Sequence, residues 1–208
     1  MRVGLTGGIG AGKTAVARAF EELGAFIIDT DALAREAVAA NSDGLREIAR
    51  VWPQVIRTGA LDRTALAEIV FNDPVARERL NAIVHPHVRR LAMEREAPAR
   101  PGQLLVHVVP LLFESGYDRS VDKSVLVLAP LEQRIARVVE RDRLDESRVR
   151  ARMAAQIEPE RARRAADFII ENDGNREQLR ERTRAVYELL VGRSNRDLSS
   201  AEGFLRES

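Results

Sequence analysis

The chain has 208 residues, 33 basic and 32 acidic, for a formal net charge of +1. That length suits one α/β domain with an inserted helical piece rather than two full domains, and the near-neutral balance provides no global field to gather nucleic acid or anionic lipid. Apolar content of 45%, near the globular average, with charged residues at 31% excludes a disordered, collagen-like or membrane-embedded chain, and the absence of cysteine excludes disulfides, thiolate metal sites and cysteine nucleophiles.

Met1 to Thr6 is a short apolar run that ends in glycines, so it reads as a buried strand feeding a tight turn. Thr14 to Leu23 places Val16, Phe20 and Leu23 at helical spacing, and Gly24 closes that helix. Ala25 to Asp29 is a second strand and Asp31 to Ala40 a short helix. Residues 43 to 96 read as a helical insertion, with Asp62 as an N-cap, Pro74 at a helix start, and His85-Pro86 interrupting or kinking a longer helix. Ala97 to Gly102 is loop chemistry. Leu104 to Val109 and Ser124 to Ala129 are uninterrupted apolar runs, as parallel strands buried on both faces require.

Pro130 opens a helix with Leu131, Ile135 and Val138 or Val139 on one face, and the stretch from Arg134 to Arg164 is crowded with arginine. Asp167 to Ile170 is a last strand, and Arg176 to Val191 a final amphipathic helix through Leu179, Val186 and Leu190. The tail from Asn195 is expected to fray. Five strands separated by helices predict a three-layer α/β fold with a five-stranded parallel sheet. No run of about 18 apolar residues is present to span a bilayer. Met1 to Thr6 runs straight into structure without a charged-then-apolar leader, so the expected compartment is the cytoplasm.

Gly7-Gly8-Ile9-Gly10-Ala11-Gly12-Lys13-Thr14 has the spacing of a Walker A loop, between a strand and a helix as that loop requires. Glycines at Gly8, Gly10 and Gly12 let successive amides converge on phosphate oxygens, and the helix N-terminus adds its positive end. Lys13 would neutralise the β- and γ-phosphates, and the Thr14 hydroxyl would ligate Mg²⁺, a hard ion that prefers oxygen. Ala11 and Ala15 would lend backbone amides, Ala15 beside the α-phosphate. Lys13 and Lys123 are the only lysines in the chain, so a lysine at this position is informative.

The sequence contains neither a DxxG nor an NKxD element, which sets aside guanine-nucleotide switches. The central apolar strands end in Val109-Pro110 and Ala129-Pro130 rather than in an Asp-Glu pair, so no hydrolytic Walker B is visible. Asp29-Thr30-Asp31 closes the second strand at the sheet edge expected to carry the glycine loop. Phosphoryl transfer to an alcohol uses a carboxylate to accept the hydroxyl proton, which suits Asp31; the alternative is that Asp31 only caps the next helix.

The chain resembles the dephospho-CoA kinase family from Arg2 to about Leu190. The matching pieces are GLTGGIGAGKT at 4 to 14, DTD at 29 to 31, GALDRTAL at 59 to 66, VF at 70 to 71 and HP at 85 to 86. PLLFE at 110 to 114, QRIARVVERD at 133 to 142, Gln156 and ADFIIENDG at 166 to 174 complete the series. The resemblance implies a P-loop kinase fold with a core at about 1–42 and 97–194, a substrate-binding insertion at about 43–96 and a lid at about 141–160. It implies ATP-dependent phosphorylation of the ribose 3′-hydroxyl of dephospho-CoA, the last step of coenzyme A biosynthesis. Asp31 is then the general base, Lys13 the phosphate clamp, and Arg141 a lid residue over the transferring phosphoryl group.

Within the same resemblance Thr6, His85, Pro86, Pro110, Leu111, Leu112 and Glu114 border the acceptor, and Asn172 borders the adenine. Read without it, His85-Pro86 is a helix kink, PLLFE is core leucines followed by a capping acid, and Asn172-Asp173-Gly174 is a turn. Two positions depart from the family pattern. Val108 stands where an acid is common, which would shift the organisation of magnesium waters onto Asp29, Asp31 or Glu114. Arg143 stands where a glycine is frequent, which would alter lid closure. The rival readings are another P-loop kinase for a nucleoside, nucleotide or sugar acid, and an ATP-binding regulatory protein without transfer activity, against which Asp31 argues.

Overall fold

The apolar runs become strands of a parallel sheet in the computed structural model, which describes residues 1–143, 145–154, 156 and 159–192. In chain order the first elements are β1 (Arg2–Gly7), α1 (Lys13–Glu22), β2 (Phe26–Asp29), α2 (Thr30–Ala37) and α3 (Asp43–Val51). A two-residue hairpin, β3 (Ile56–Arg57) and β4 (Ala60–Leu61), precedes α4 (Arg63–Asn72) and the long α5 (Pro74–Glu96). Then follow β5 (Leu105–Val108), a 3-10 helix over Tyr117–Ser120, β6 (Lys123–Leu128), α6 (Leu131–Asp142), α7 (Glu146–Ala154), α8 (Pro159–Ala165), β7 (Phe168–Glu171) and α9 (Arg176–Leu190). The tail expected to fray lies outside the described residues.

Contacts divide the chain into two units, Met1–Ile28 with the described residues from Ala99 onward, and Asp29–Pro98. The first holds the sheet, in the order β2, β5, β1, β6, β7. β1 is the central strand, parallel to β5 from Arg2 opposite Leu105 and to β6 from Val3 opposite Lys123. The order reverses on either side of β1, and the crevice beyond the carboxyl end of such a strand is where open α/β sheets bind ligands.

Alternation along the strands sorts the two faces. Val3, Leu5, Val106, Val125 and Val127 are fully buried in one cluster with Val16 and Phe20 of α1 and Val186 and Leu190 of α9. The intervening side chains, including Thr6, His107, Ser124 and Leu126, are buried as well. His107 Nδ1 and the Tyr117 hydroxyl lie 2.9 Å apart, which ties β5 to the 3-10 helix. Both faces are therefore covered, as a parallel sheet needs.

The second unit is mainly helical, around Ile48, Trp52, Val55, Leu66 and Ala76. Four caps define its helices: Asp29 for α2, Ser42 for α3, Asp62 for α4 and Asp73 for α5. The hairpin β3–β4 is an addition to the expected helical stretch; it turns on Thr58 and Gly59, both at positive φ, as a tight two-residue hairpin loop demands. α5 runs through Pro86 as one helix, so the interruption expected there does not occur. This unit starts at Asp29 rather than at residue 43, because α2 packs with α3 and α5. No helix among the described residues is long and apolar enough to cross a membrane.

Candidate functional site

β1 delivers the chain to Gly7, and α1 begins at Lys13, so the glycine turn spans the gap between the central strand and its helix. The turn closes with Ala11 N donating to Gly8 O at 3.1 Å. Gly12 is the N-cap of α1, with φ +99° and no side-chain cap. A side chain there would be strained, and its Cβ would lie 2.2 Å from Asn172 Nδ2. No side chain caps the positive end of the α1 dipole, the arrangement that receives phosphate, while Ala15 N donates back to Gly12 O at 2.9 Å. Lys13 Nζ arches back over the turn and donates to Gly7 O at 2.5 Å and Gly8 O at 3.2 Å.

The turn is braced from three sides. Asn172, buried just beyond β7, donates through Nδ2 to Ala11 O at 2.8 Å, while its own amide donates to Leu128 O at 2.7 Å. Gln156 Oε1 accepts from Ile9 N at 2.8 Å. From α6, Arg134 Nε donates to Ile9 O at 2.9 Å and Arg137 Nη1 to Gly10 O at 3.4 Å. The backbone of the loop is thus fixed by side chains from elements far away in sequence. Such a preformed cradle costs little reorganisation when an anion arrives.

Thr6, Gly7, Gly8, Pro110, Phe113, Glu114, Arg134 and Gln156 line a cavity beside this loop. Thr6 is buried, and its hydroxyl donates to Pro110 O at 3.4 Å. Of the PLLFE segment, Pro110 and Glu114 reach the cavity together with Phe113. Leu112 does not: its side chain is fully buried in the fold, so the core-leucine reading holds for that residue. Leu111 is exposed at 48%.

The remaining sequence-derived residues fall as follows. Thr14 and Ala15 sit exposed on the first turn of α1. Arg141 lies in the last turn of α6, where Nε donates to Asp142 Oδ1 at 2.7 Å and Nη2 to Oδ2 at 3.0 Å; this pairing raises the arginine pKa and lowers that of Asp142. Arg143 follows in the left-handed region at φ +53°, a conformation that disfavours any side chain by about 1–2 kcal/mol and explains why glycine suits the position. Asn172 spends its side-chain amide on the loop backbone, which is a bracing role. Its carbonyl accepts from Arg137 Nη2 at 3.4 Å. In the segment expected as a lid, Val149 of α7 is fully buried with Ile135 and Val138 of α6, and Ile9 packs against this cluster. Leu144, Ala155, Ile157 and Glu158 of that segment lie outside the described residues.

Asp31, His85 and Pro86 belong to the second unit. Asp29 Oδ1 accepts from Asp31 N at 2.9 Å and from Ala32 N at 3.1 Å. Asp29 is therefore the helix cap, and the capping account of Asp31 does not hold. His85 is partly buried; desolvation first, then the charge of Arg89, lowers its pKa. His87, two residues on in α5, instead meets Glu47 Oε1 at 3.2 Å.

Sequence reasoning did not single out Arg134, Arg137 or Phe113. Arg134 and Arg137 sit in an arginine-rich stretch where composition hides them. The usable signal was position: Arg134 is four residues before the buried Val138, at the margin of the apolar stripe of α6.

The family model for dephospho-CoA kinase matches residues 1–178. A dephospho-CoA kinase from Thermobifida fusca (strain YX) is 43% identical over 195 residues, covering 93% of this chain and 98% of the relative. Among solved structures, TT1252 from Thermus thermophilus is 39% identical with a TM-score of 0.80, covering 94% of this chain and 98% of its own. A dephospho-CoA kinase from Campylobacter jejuni is 27% identical with a TM-score of 0.67, over 93% of this chain and 98% of its own.

Proposed function

This chain belongs to the dephospho-CoA kinase family, and on that premise we propose that its glycine loop holds ATP while Asp31 activates the ribose 3′-hydroxyl of dephospho-CoA. It is a kinase that phosphorylates dephospho-CoA with ATP in coenzyme A biosynthesis. The observation that carries the residue-level reading is the uncapped start of α1 behind a glycine turn braced by Asn172, Gln156 and Arg134.

In the proposed reaction the backbone amides of the glycine loop and Lys13 take the β- and γ-phosphate oxygens. Asp31 hydrogen-bonds the 3′-hydroxyl, orients it in line with the γ-phosphorus and accepts its proton. The new O–P bond forms as the bond to the β-phosphate oxygen breaks, and ADP leaves. Support for Asp31 comes from its place two residues past the end of β2 and from Asp29 filling the capping role. Positioning and charge stabilisation supply most of the rate.

The donor set fits Mg²⁺: Thr14 offers a hydroxyl oxygen on the first turn of α1, and this ion takes its other ligands from phosphates and water. When bound it would neutralise phosphate charge. Thr6, Pro110 and Glu114 would shape the acceptor side of the cavity, His85 and Pro86 would contact the substrate within the second unit, and Arg141 would leave Asp142 for the phosphoryl group when the lid closes. Use of ATP as co-substrate favours the cytoplasm as the compartment.

The test is incubation of the full chain with ATP, Mg²⁺ and dephospho-CoA, followed by mass spectrometry of the acceptor and location of the new phosphate. A gain of one phosphate at the 3′ position is expected. Phosphate on another hydroxyl, or none, contradicts the assignment.

A further inference from the structure

The arginines of the α6–α8 region divide into two kinds. Arg141, Arg150 and Arg163 each meet a carboxylate: Asp142, the pair Glu132 and Glu146, and Glu171 respectively. Arg134 and Arg137 meet none among the described residues, but the Nη groups of Arg137 are spent on Gly10 O, Gln133 Oε1 and Asn172 O, whereas those of Arg134 bond to none of these. The one side-chain hydrogen bond of Arg134 among the described residues runs from Nε to Ile9 O. Yet Arg134 is more buried than Arg141 and Arg150, and desolvation alone lowers its pKa. A half-desolvated guanidinium remains charged in proteins, and burying it without a counterion is unfavourable. Arg141 and Arg150 are exposed and Arg163 is partly buried, yet all three are paired; a half-buried guanidinium left without a carboxylate is the pattern expected where the counterion is a ligand.

Geometry says which ligand. A Cβ on Gly8 would lie 2.2 Å from Arg134 Nη2 and 2.7 Å from its Cζ, so the guanidinium rests against the second residue of the phosphate loop. It lines the cavity that also receives Thr6, Phe113 and Glu114. This is the strand end of the loop, five residues before Lys13, on the side that opens toward the PLLFE segment. A triphosphate held by the amides of α1 and by Lys13 would present its terminal group here.

We propose that Arg134 is a further catalytic residue: its Nη1 and Nη2 donate to oxygens of the transferring terminal phosphoryl group, while Nε keeps hold of the Ile9 carbonyl. The planar fork of the guanidinium allows both tasks at once, which a lysine could not perform. The inference rests on the reading of the glycine loop as the ATP site, and it adds a cation fixed in the cradle before any lid movement.

A residue that only braced the loop would affect ATP and ADP alike, whereas a ligand of the terminal phosphoryl group distinguishes them. The experiment therefore measures the affinity of the full chain for Mg-ATP and Mg-ADP by calorimetry, with kcat, for wild type, Arg134→Gln and Arg134→Lys. For Arg134→Gln the affinity for ATP is expected to fall about tenfold further than that for ADP, which loses only the Ile9 brace, as loss of a charged hydrogen bond to the terminal group implies, and kcat to fall about 10²-fold. Added guanidinium ion should recover part of the lost rate. Arg134→Lys keeps the charge and the fold but lacks the fork, so the same selective loss, smaller in size, is expected.

Equal loss for ATP and ADP, or an unchanged kcat, overturns the inference. A Lys13→Ala control separates the two levels. If that variant binds ATP like wild type, the loop is not the ATP site and the underlying reading has failed. If it loses ATP while Arg134→Gln does not, only the role of Arg134 is wrong.

Discussion

The two units of the chain commit their side chains in opposite ways. In the first, Val3, Leu5, Val125 and Val127 are completely buried along the central strands, and the site itself is backbone held in place by Asn172, Gln156 and Arg134. In the second, the core around Trp52 is small, and large apolar side chains stay outside it: Phe71 is 82% and Val75 74% exposed. A phosphate cradle made of amides needs glycines at fixed spacing and a rigid frame, whereas a helical unit works through individual side chains. The first kind of site is written into motif spacing; the second is not.

The sharpest break of this contrast is Asp31→Asn, the one residue of the helical unit given a chemical step. Turnover is expected to fall about 10³-fold, within the range for losing a general base, with ATP affinity intact. Rapid-quench kinetics and calorimetry read the two quantities, and wild-type turnover would remove Asp31 from the base role. Next in size, Trp52→Ala empties the core of the second unit, where Trp52 is 8% exposed. A loss of about 3–5 kcal/mol is expected in denaturant titrations, while nucleotide affinity, measured where the variant is still folded, stays at the wild-type level. A parallel loss of affinity would mean that the units are not energetically distinct.

Gly12→Ala probes the cradle directly. A side chain at φ +99° that would meet Asn172 Nδ2 at 2.2 Å costs about 1–3 kcal/mol of strain. About a tenfold loss of ATP affinity is expected, with the affinity for dephospho-CoA unchanged. A neutral Gly12→Ala would show that the loop is soft rather than preformed.

The smallest effect is a pH dependence from His85. Its folded pKa lies below the ordinary value of 6.5, chiefly through desolvation. As pH falls through that value toward the folded one, the unfolded chain binds more protons than the native one, so stability declines with acidity in that window. A thermal melt series should therefore show a slightly steeper acid loss for wild type than for His85→Gln. Equal slopes would mean that His85 is not desolvated.

These contrasts track what the sequence could reveal. The glycine loop, Lys13 and the apolar strands were legible because the first depends on spacing and the strands on uninterrupted runs. Capping by Asp62 and the helix start at Pro74 were legible for the same local reasons. The hairpin at Ile56–Leu61 was hidden because two-residue strands carry no period, and Thr58 gives little warning of its left-handed turn. Asp29 and Asp31 were equally good caps by residue type, and only the hydrogen bonds separate them. Asn172 reads as a turn residue, yet it reaches Ala11, 161 positions away, a pairing that no local pattern encodes. Arg134 is indistinguishable by composition from its solvated neighbours; what marks it is the cavity it faces.

The central claim, that the backbone between β1 and α1 is the receptor for the triphosphate, is tested most directly by following assigned backbone amide resonances of the full chain during titration with Mg-ATP. The expected result is that the largest shifts fall on Gly8 to Thr14. Saturable ATP binding that leaves those seven amides unmoved, with the shifts concentrated elsewhere, would contradict it.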